Sequence, residues 1–589
     1  MSGLIKFLSG YLLSKSANAN SFDDTIIKEY RKYGIDEINI DTINIDEIIK
    51  IFTNNPKHII ISGSAGDGKT YILRKIYTTL NGCIDGWSDN GNPAKIKTTN
   101  YTIVFIKDFS QEESKKEILN KLKTKTQNEY YFIAANDGIL LDSLEECGEI
   151  GLRNEILNAI ENYAQNDLFY FWHLSSLGSA FKIEKIIEVI LNRFKKYEVD
   201  CPSLSDDSIF CPIHENIKEL EKIKEQVVSL IKQCDYNHNF ITTRKLFDLV
   251  ANAILGVKKY QKNERKLQYF ESCEEAINAM KNKPKLDACI YNNLFGENLN
   301  NVEDSKYKHY NYLQEFKIGY ETNNTIDDFL MYGDIKNNYL YAKLLDNKYI
   351  TFENFYKIKD SFFNSNNDNK EQIQNELFSS LNFFKKFLFF MKIKQNGLDF
   401  NDLSIYHHKE SYENNIIFKL DKIKDENKLD IDSDIISELS SGLNRVFTGA
   451  LLEASGGEIF IVKNFVKTNH KHSNELFIKI SVDDLEIISK FKKDSVSSDY
   501  VPKIFLKFSS YNAELMLDLH MFEFLMRVAN GMLPISFSRE YYERVIGFKT
   551  KIISQINQES HFKNNKISVF KVDYSTGEDK VTNINIKSR

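Results

Sequence analysis

The chain has 589 residues, 42% of them hydrophobic and 27% charged, with a formal net charge of -6. That length predicts several domains with proper cores, and the acidic balance excludes a stand-alone, charge-driven nucleic-acid coat. Seven irregularly spaced cysteines exclude a secreted disulfide framework.

Residues 1–49 read as an N-terminal lead-in, helical over 1–30. Its apolar start, MSGLIKFLSGYLLSK, has no small-residue cleavage site and is shorter than a membrane span, so a cytoplasmic protein is expected. The run Ile35–Ile49 first alternates and then turns to helical spacing, and both a strand and a helix fit it. His58–Ser62 is a short apolar run that suits a buried parallel strand. The residues after it, Gly63, Ser64, Ala65, Gly66, Asp67, Gly68, Lys69 and Thr70, fit G-x-x-x-x-G-K-[ST] without a mismatch. Glycines in that pattern let successive N–H groups face one phosphate chain, the lysine brings a point charge to the β/γ-phosphates, and the threonine offers a hydroxyl to Mg²⁺. A helix over Tyr71–Leu80 would turn its positive end toward the anion. ATP and Mg²⁺ are the expected ligands.

Asn81–Pro93 reads as a loop. Strands and helices then alternate: a strand at Tyr101–Ile106, a helix at Gln111–Leu122, a strand at Tyr130–Ala135, a helix-rich stretch at Ser143–Ala164, a strand at Leu168–Leu174 and a helix at Ile183–Phe194. This alternation predicts an α/β fold, a parallel sheet covered on both faces. The layout is that of an AAA-type P-loop NTPase core over 50–200. A helical lid is expected over 201–300 and a helical, loop-rich connector over 301–380. Residues 381–589 read as an α+β interaction domain, with strands at Glu458–Val462, Glu475–Val482 and Lys503–Phe508 and helices at Ala513–Val528 and Arg539–Gln555. A closing hairpin, Ile567–Val572 with Val581–Ile586, turns around Ser575-Thr576-Gly577.

ATP hydrolysis also needs a carboxylate at a neighbouring strand end, to hold the metal's water shell or orient the attacking water. Asp108 and Asp137 both end strands. The AAA-type layout puts this acid on the third strand, and counting from His58–Ser62 gives that place to Asp137, with Asp108 on the second strand. Asn136-Asp137 stands where a regular pattern has two acids, and either aspartate would also serve as a helix or turn cap. The end of Leu168–Leu174 then offers Ser175 as a sensor of the γ-phosphate. Arg244, after Thr242 and Thr243 as caps, opens a lid helix from which it would reach the same phosphate; a solvated surface arginine is the alternative. Arg193 is a candidate finger acting on a neighbouring copy.

Other clusters carry less. Cys201, Cys211, His214 and Cys234 do not have zinc spacing, so ordinary lid cysteines are expected. FFKKFLFFMKIK at Phe383–Lys394 would either stack nucleic-acid bases or form a buried element with snorkelling lysines. Val257–Phe270 reads as a basic helix face, and His407-His408 stands isolated.

GSAGDGKT at 63–70, FIAANDG at 132–138, CPIHEN at 211–216, TTRKLFDLVANAILG at 242–256, GLNRVFTG at 442–449 and FEFLMRVANGMLPISFSREYYE at 522–543 occur in this order along most of the chain. The set resembles the DptF-like ATPase component of bacterial DNA-phosphorothioation-dependent restriction systems. The resemblance implies an ATPase that works with other subunits of a restriction, anti-phage complex, meeting DNA through that complex. It carries Gly63, Gly68, Lys69 and Thr70 over as nucleotide binders and Asp137 as the acid of A-A-N-[DE]-G. Two departures stand out: Cys201 and Cys211 lie far apart where the family has a close pair, and serines end the fourth strand where it tends to asparagine. The expected activity is ATP hydrolysis with Lys69, Asp137, Asp108 and Arg244 as catalytic candidates and Thr70 and Asp137 at the metal. No membrane partner is expected, and a homo-oligomer is left open. The rivals are a slowly hydrolysing, nucleotide-gated scaffold and, less suited to this length, a small-molecule kinase.

Overall fold

The computed structural model describes residues 2–11, 30–80, 87, 93–112, 114–123, 128–162, 166–196, 201–206, 208–261, 266–281, 285–299, 308–332, 344, 347–364, 370–391, 394–395, 398–399, 403–422, 428–450, 457–468, 471–490, 495–497, 500–559, 566–573 and 578–585. They fall into two units, Met1–Ile405 with Lys492–Val501, and Tyr406–Phe491 with Pro502–Arg589. The composition change at Leu381, expected to open the second domain, falls inside a helix of the first unit.

The first unit is built around β1 (His58–Gly63), buried along its whole length. Three consecutive isoleucines explain why it is central, because β-branched side chains fill both faces of a covered strand. It lies in a five-stranded sheet with β2 (Ala94–Lys97), β3 (Thr102–Ile106), β4 (Glu129–Asn136) and β5 (Phe169–His173), in the order β2-β3-β4-β1-β5. β1 pairs parallel with β4 and β5, and β3 parallel with β4; β2 runs antiparallel along the edge. The sheet is therefore mixed and mostly parallel.

The period of two sorts the core. After the N-terminal helix α1 (Ser2–Tyr11), Ile59 and Ile61 face one layer with Phe105, Phe132 and Trp172, covered by α2 (Ile45–Asn54) and α3 (Lys69–Thr79). Ile60 faces the other with Val104, Ile106 and Ile133, covered by α4 (Lys115–Leu122), α5 (Asp137–Glu146) and α6 (Ile150–Asn162). Phe132 sits at the centre of the first layer, 4.9 Å from the Phe52 ring and 5.1 Å from that of Phe105.

Two expectations are corrected here. Residues 35–44 are irregular rather than a strand, and helix begins only at α2, where Asn44 accepts from the Glu47 N–H at 3.1 Å. β2 was not expected at all. Only four residues long and half lysine, AKIK carries too little apolar pattern to be read from sequence. Its presence makes β3 the third strand in chain order and β4 the fourth.

After β5 come α7 (Ser179–Lys196), α8 (Pro212–Tyr236) and α9 (Thr243–Leu255), packed on one another, the last two within the 201–300 stretch read from sequence as a lid. Val257–Phe270 is not a helix face: it holds an antiparallel hairpin of β6 (Val257–Gln261) and β7 (Lys266–Tyr269). α10 (Cys273–Met280) packs back on α8. Further on, α11 (Lys370–Phe390) overturns a base-stacking role for Phe383–Lys394. Phe383, Phe384, Phe387, Phe389 and Phe390 are buried, and Lys385 and Lys386 pair with Asp327 and Glu297. Residues 495–501 return to this unit as a strap: the Asn44 N–H donates to Val496, the Val501 N–H donates to Ser176, and Tyr500 bridges to Leu177.

The second unit contains α12 (Ser433–Thr448), packed on α13 (Leu519–Ala529). Gly442 lets the two helices touch, since a Cβ there would stand 2.4 Å from the Leu525 carbonyl oxygen. The expected helix from Ala513 starts later, because Glu514–Met516 is a strand paired with Lys503–Phe508. The closing hairpin is present as Lys566–Asp573 with Glu578–Asn585; its turn at 575–577 lies outside the described residues. His408 is not isolated: its backbone N–H and its ring both meet the buried Glu523, which also accepts from Arg527. No helix among the described residues is long and apolar enough to cross a membrane.

Candidate functional site

The loop from Gly63 to Thr70 leaves the carboxyl end of β1 and runs into α3. Gly66 and Gly68 have φ of +95° and +89°, a region that residues with a side chain enter only under strain. Gly66 is also hemmed in. Its carbonyl accepts from the Arg244 N–H at 3.2 Å, and a Cβ on it would stand 2.9 Å from the Arg244 Cβ.

Lys69 is the first residue of α3, and its ammonium curls back to donate to the carbonyls of Gly63 at 2.9 Å and Ser64 at 2.8 Å. Burial lowers its pKa. The charges of Asp67, Asp137 and Asp108 oppose that shift, while Arg244 adds to it. Three carboxylates and a second cation therefore act on one ammonium at the helix start. Asp67 is buried within the loop, accepting from the Ser64 N–H at 2.8 Å and the Ser175 hydroxyl at 2.7 Å. Ser175, expected near the phosphates, thus touches the loop directly.

The two strand-end aspartates sit differently. The Thr70 hydroxyl donates to the Lys107 carbonyl at 3.2 Å, which brings it against the residue before Asp108. Asp108 caps the short turn Phe109–Gln111, accepting from the Ser110 N–H at 2.9 Å. Asp137 is the first residue of α5, with Asn136 as the N-cap. One of its oxygens accepts from the Ser62 hydroxyl and the other lies 3.0 Å from His173 Nε2. Burial pushes the Asp137 carboxyl up. The hydrogen bonds of His173 and Ser62 and the charge of Lys69 outweigh it, leaving the group below the usual carboxylate range. It is held ionised.

Beside the loop is a cavity of about 160 Å³. Its floor is Gly66–Tyr71, and Arg244 and Phe247 of α9 close one side. The opposite wall is helical Tyr30 with Ile38 and Ile40 of the irregular segment that follows, which is tied down by the Tyr71 hydroxyl on Asp41 and by the Arg74–Glu37 ion pair. Thr242 takes the N-cap position of α9, yet its side chain makes no cap bond. Arg193, the candidate finger, donates to the Glu37 carbonyl of its own chain at 3.1 Å.

Sequence reasoning brought Lys69, Thr70, Asp108, Asp137, Ser175 and Arg244 to one place, and the fold brings them together. It missed His173 and the 30–42 wall. His173 had a signal, a polar residue closing an apolar strand beside β1. The wall had an alternating apolar pattern over 35–42, which fits a strand or a helix and does not specify the irregular path the chain takes there. No protein-family model matches the chain, and neither a curated protein nor a solved structure is significantly similar to it.

Proposed function

We propose that this chain is an ATP-hydrolysing P-loop protein with an AAA-type core, acting as the ATPase component of a bacterial DNA restriction complex. One observation carries the ATPase reading: Lys69 at the start of α3, among Asp67, Asp108 and Asp137, with Thr70 against the strand end that bears Asp108. The restriction setting is supported by the ordered sequence motifs alone. In this reading the phosphates of ATP lie along Gly63–Thr70, and the base enters the cavity between Tyr71, Ile38, Ile40 and Phe247.

The extra strand β2 changes the acid chosen by strand count. With β3 as the third strand, Asp108 takes the metal-side position and Asn136-Asp137 the fourth-strand position first given to Ser175. Thr70, Asp108 and Asp137 are hard oxygen donors of the kind that suits Mg²⁺. Thr70 and Asp108 would hold the ion's side of the site, where it would neutralise charge between the β- and γ-phosphates. Asp137, fixed by Ser62 and His173 and kept ionised, orients the attacking water. Lys69 and Arg244 offset the charge that grows on the phosphoryl oxygens.

A slower, nucleotide-gated scaffold is the second reading. It is favoured by the same Asp137, whose two oxygens are already engaged. The test is ATP turnover by the purified chain with and without double-stranded DNA, beside Lys69→Ala, Asp108→Ala and Asp137→Ala. Turnover that DNA raises and all three variants lose supports the proposal. Tight ATP binding without turnover selects the scaffold, and unimpaired turnover in Lys69→Ala overturns both.

A further inference from the structure

Three cysteines far apart in sequence meet inside the lid. Cys201 precedes the short turn Pro202–Leu204, Cys211 is the N-cap of α8, and Cys273 opens α10. Their sulfurs all lie within 4.8 Å of one another, and all three residues are buried. A tetrahedral ion with metal–sulfur bonds of about 2.3 Å sets its sulfurs about 3.8 Å apart, so the cluster needs only a small contraction to close on one. None of the three is in a disulfide.

Two of the sulfurs sit at helix starts, where the positive end of the dipole favours a thiolate. The His214 N–H, in the first turn of α8, points at the Cys211 sulfur.

A fourth donor is at hand. Ser203 Oγ lies 3.1 Å from the Cys201 sulfur and 2.8 Å from His214 Nδ1, and His214 is buried three residues after Cys211. Only one hydroxyl separates this imidazole from the thiols. Cys234, which the sequence set beside them, is buried elsewhere on α8 and has no part in the cluster.

We propose that Cys201, Cys211 and Cys273, with His214 as fourth ligand, form a structural zinc site. Soft thiolates with an imidazole, closed from solvent, match a structural rather than a catalytic zinc. The sequence hid it because Cys211 and Cys273 are 62 positions apart (273 − 211). The ion would staple the start of α8 to the start of α10 and so fix the intervening α9, which carries Arg244.

The full chain, purified from zinc-supplemented cells without chelators or a metal-affinity tag, is tested by elemental analysis. The expected content is about one zinc per chain, falling below about one-tenth in Cys201→Ser, Cys211→Ser and Cys273→Ser and staying full in the control Cys289→Ser. His214→Ala is expected to release its zinc at roughly tenfold less competing chelator. Cobalt substitution of the wild type should give the thiolate charge-transfer band and the strong visible absorption of a tetrahedral S₃N site. This readout needs no variant to fold and does not depend on ATP. Wild-type protein without stoichiometric zinc and without that cobalt spectrum overturns the proposal, as does Cys273→Ser protein that keeps a full equivalent, or iron in zinc's place.

Discussion

Gly66 is not a required position of the phosphate-loop pattern, so its replacement tests the geometry rather than the motif. In Gly66→Ala the new methyl would stand 2.9 Å from the Arg244 Cβ, on a backbone held at φ +95°. The left-handed conformation costs an alanine about 1–2 kcal/mol. Relieving the contact means drawing the loop off α9, which breaks the Arg244 N–H to Gly66 carbonyl bond, worth about 1 kcal/mol net. On the proposed placement of ATP along this loop, the sum of about 2–3 kcal/mol corresponds to ATP affinity weakened roughly 30- to 150-fold, because the bound state would need the loop where it is. Isothermal titration calorimetry reads this directly, and circular dichroism checks that the fold survives. Gly547→Ala is the control. That glycine is exposed within Arg539–Glu559 with open space around its Cβ position, and the helix should gain up to about 1 kcal/mol. Gly66→Ala protein that binds ATP within threefold of wild type would refute the reasoning, since neither strain nor contact would then matter.

Phe132→Ala removes the ring that Phe52 and Phe105 pack on, and should destabilise the first unit by about 3–5 kcal/mol in urea titrations. Asp137 has a folded pKa below its unfolded one, so its contribution is present above about pH 4 and lost as pH falls through the folded value. Asp137→Asn should flatten that acid limb of the stability profile. Glu297→Ala leaves the buried Lys386 without its carboxylate and should cost about 3–5 kcal/mol by denaturation, most of it recovered in Glu297→Ala with Lys386→Met. Burial lowers Lys549 to about 8 from 10.5 while it donates to the Phe447 carbonyl. Its folded form resists protonation, so the second unit should gain stability as pH rises from 8 toward 10.5, and Lys549→Met should abolish that rise and be more stable at pH 7.

The parts of the molecule readable from sequence are those where one local rule suffices. Three isoleucines before a glycine-rich loop specify β1 and its turn, and apolar runs near 101, 130 and 168 specify three of its sheet partners. What was lost needed contacts between distant segments. β2 is a strand because β3 offers it an edge, not because AKIK prefers one, and this one omission displaced the strand count and with it the acid proposed for the metal side. The Phe383–Lys394 run looks like a basic aromatic platform until Glu297 and Asp327 arrive from elsewhere to pair with its lysines. The three lid cysteines meet only because α8 and α10 pack together.

The strap at 495–501 has a practical consequence. The first unit is discontinuous: Val496 and Tyr500 belong to its sheet core although they follow almost the whole first half of the second unit in the gene. A fragment ending at 405 would keep the nucleotide loop yet lack the cover on α2 and on the turn after β5. Such a truncation would be a damaged fold rather than a minimal one. Within the first unit Val501 is hydrogen-bonded to Ser176, one residue from Ser175, whose hydroxyl accepts from the Ser64 N–H of the glycine-rich loop, so cutting the strap would reach that loop as well.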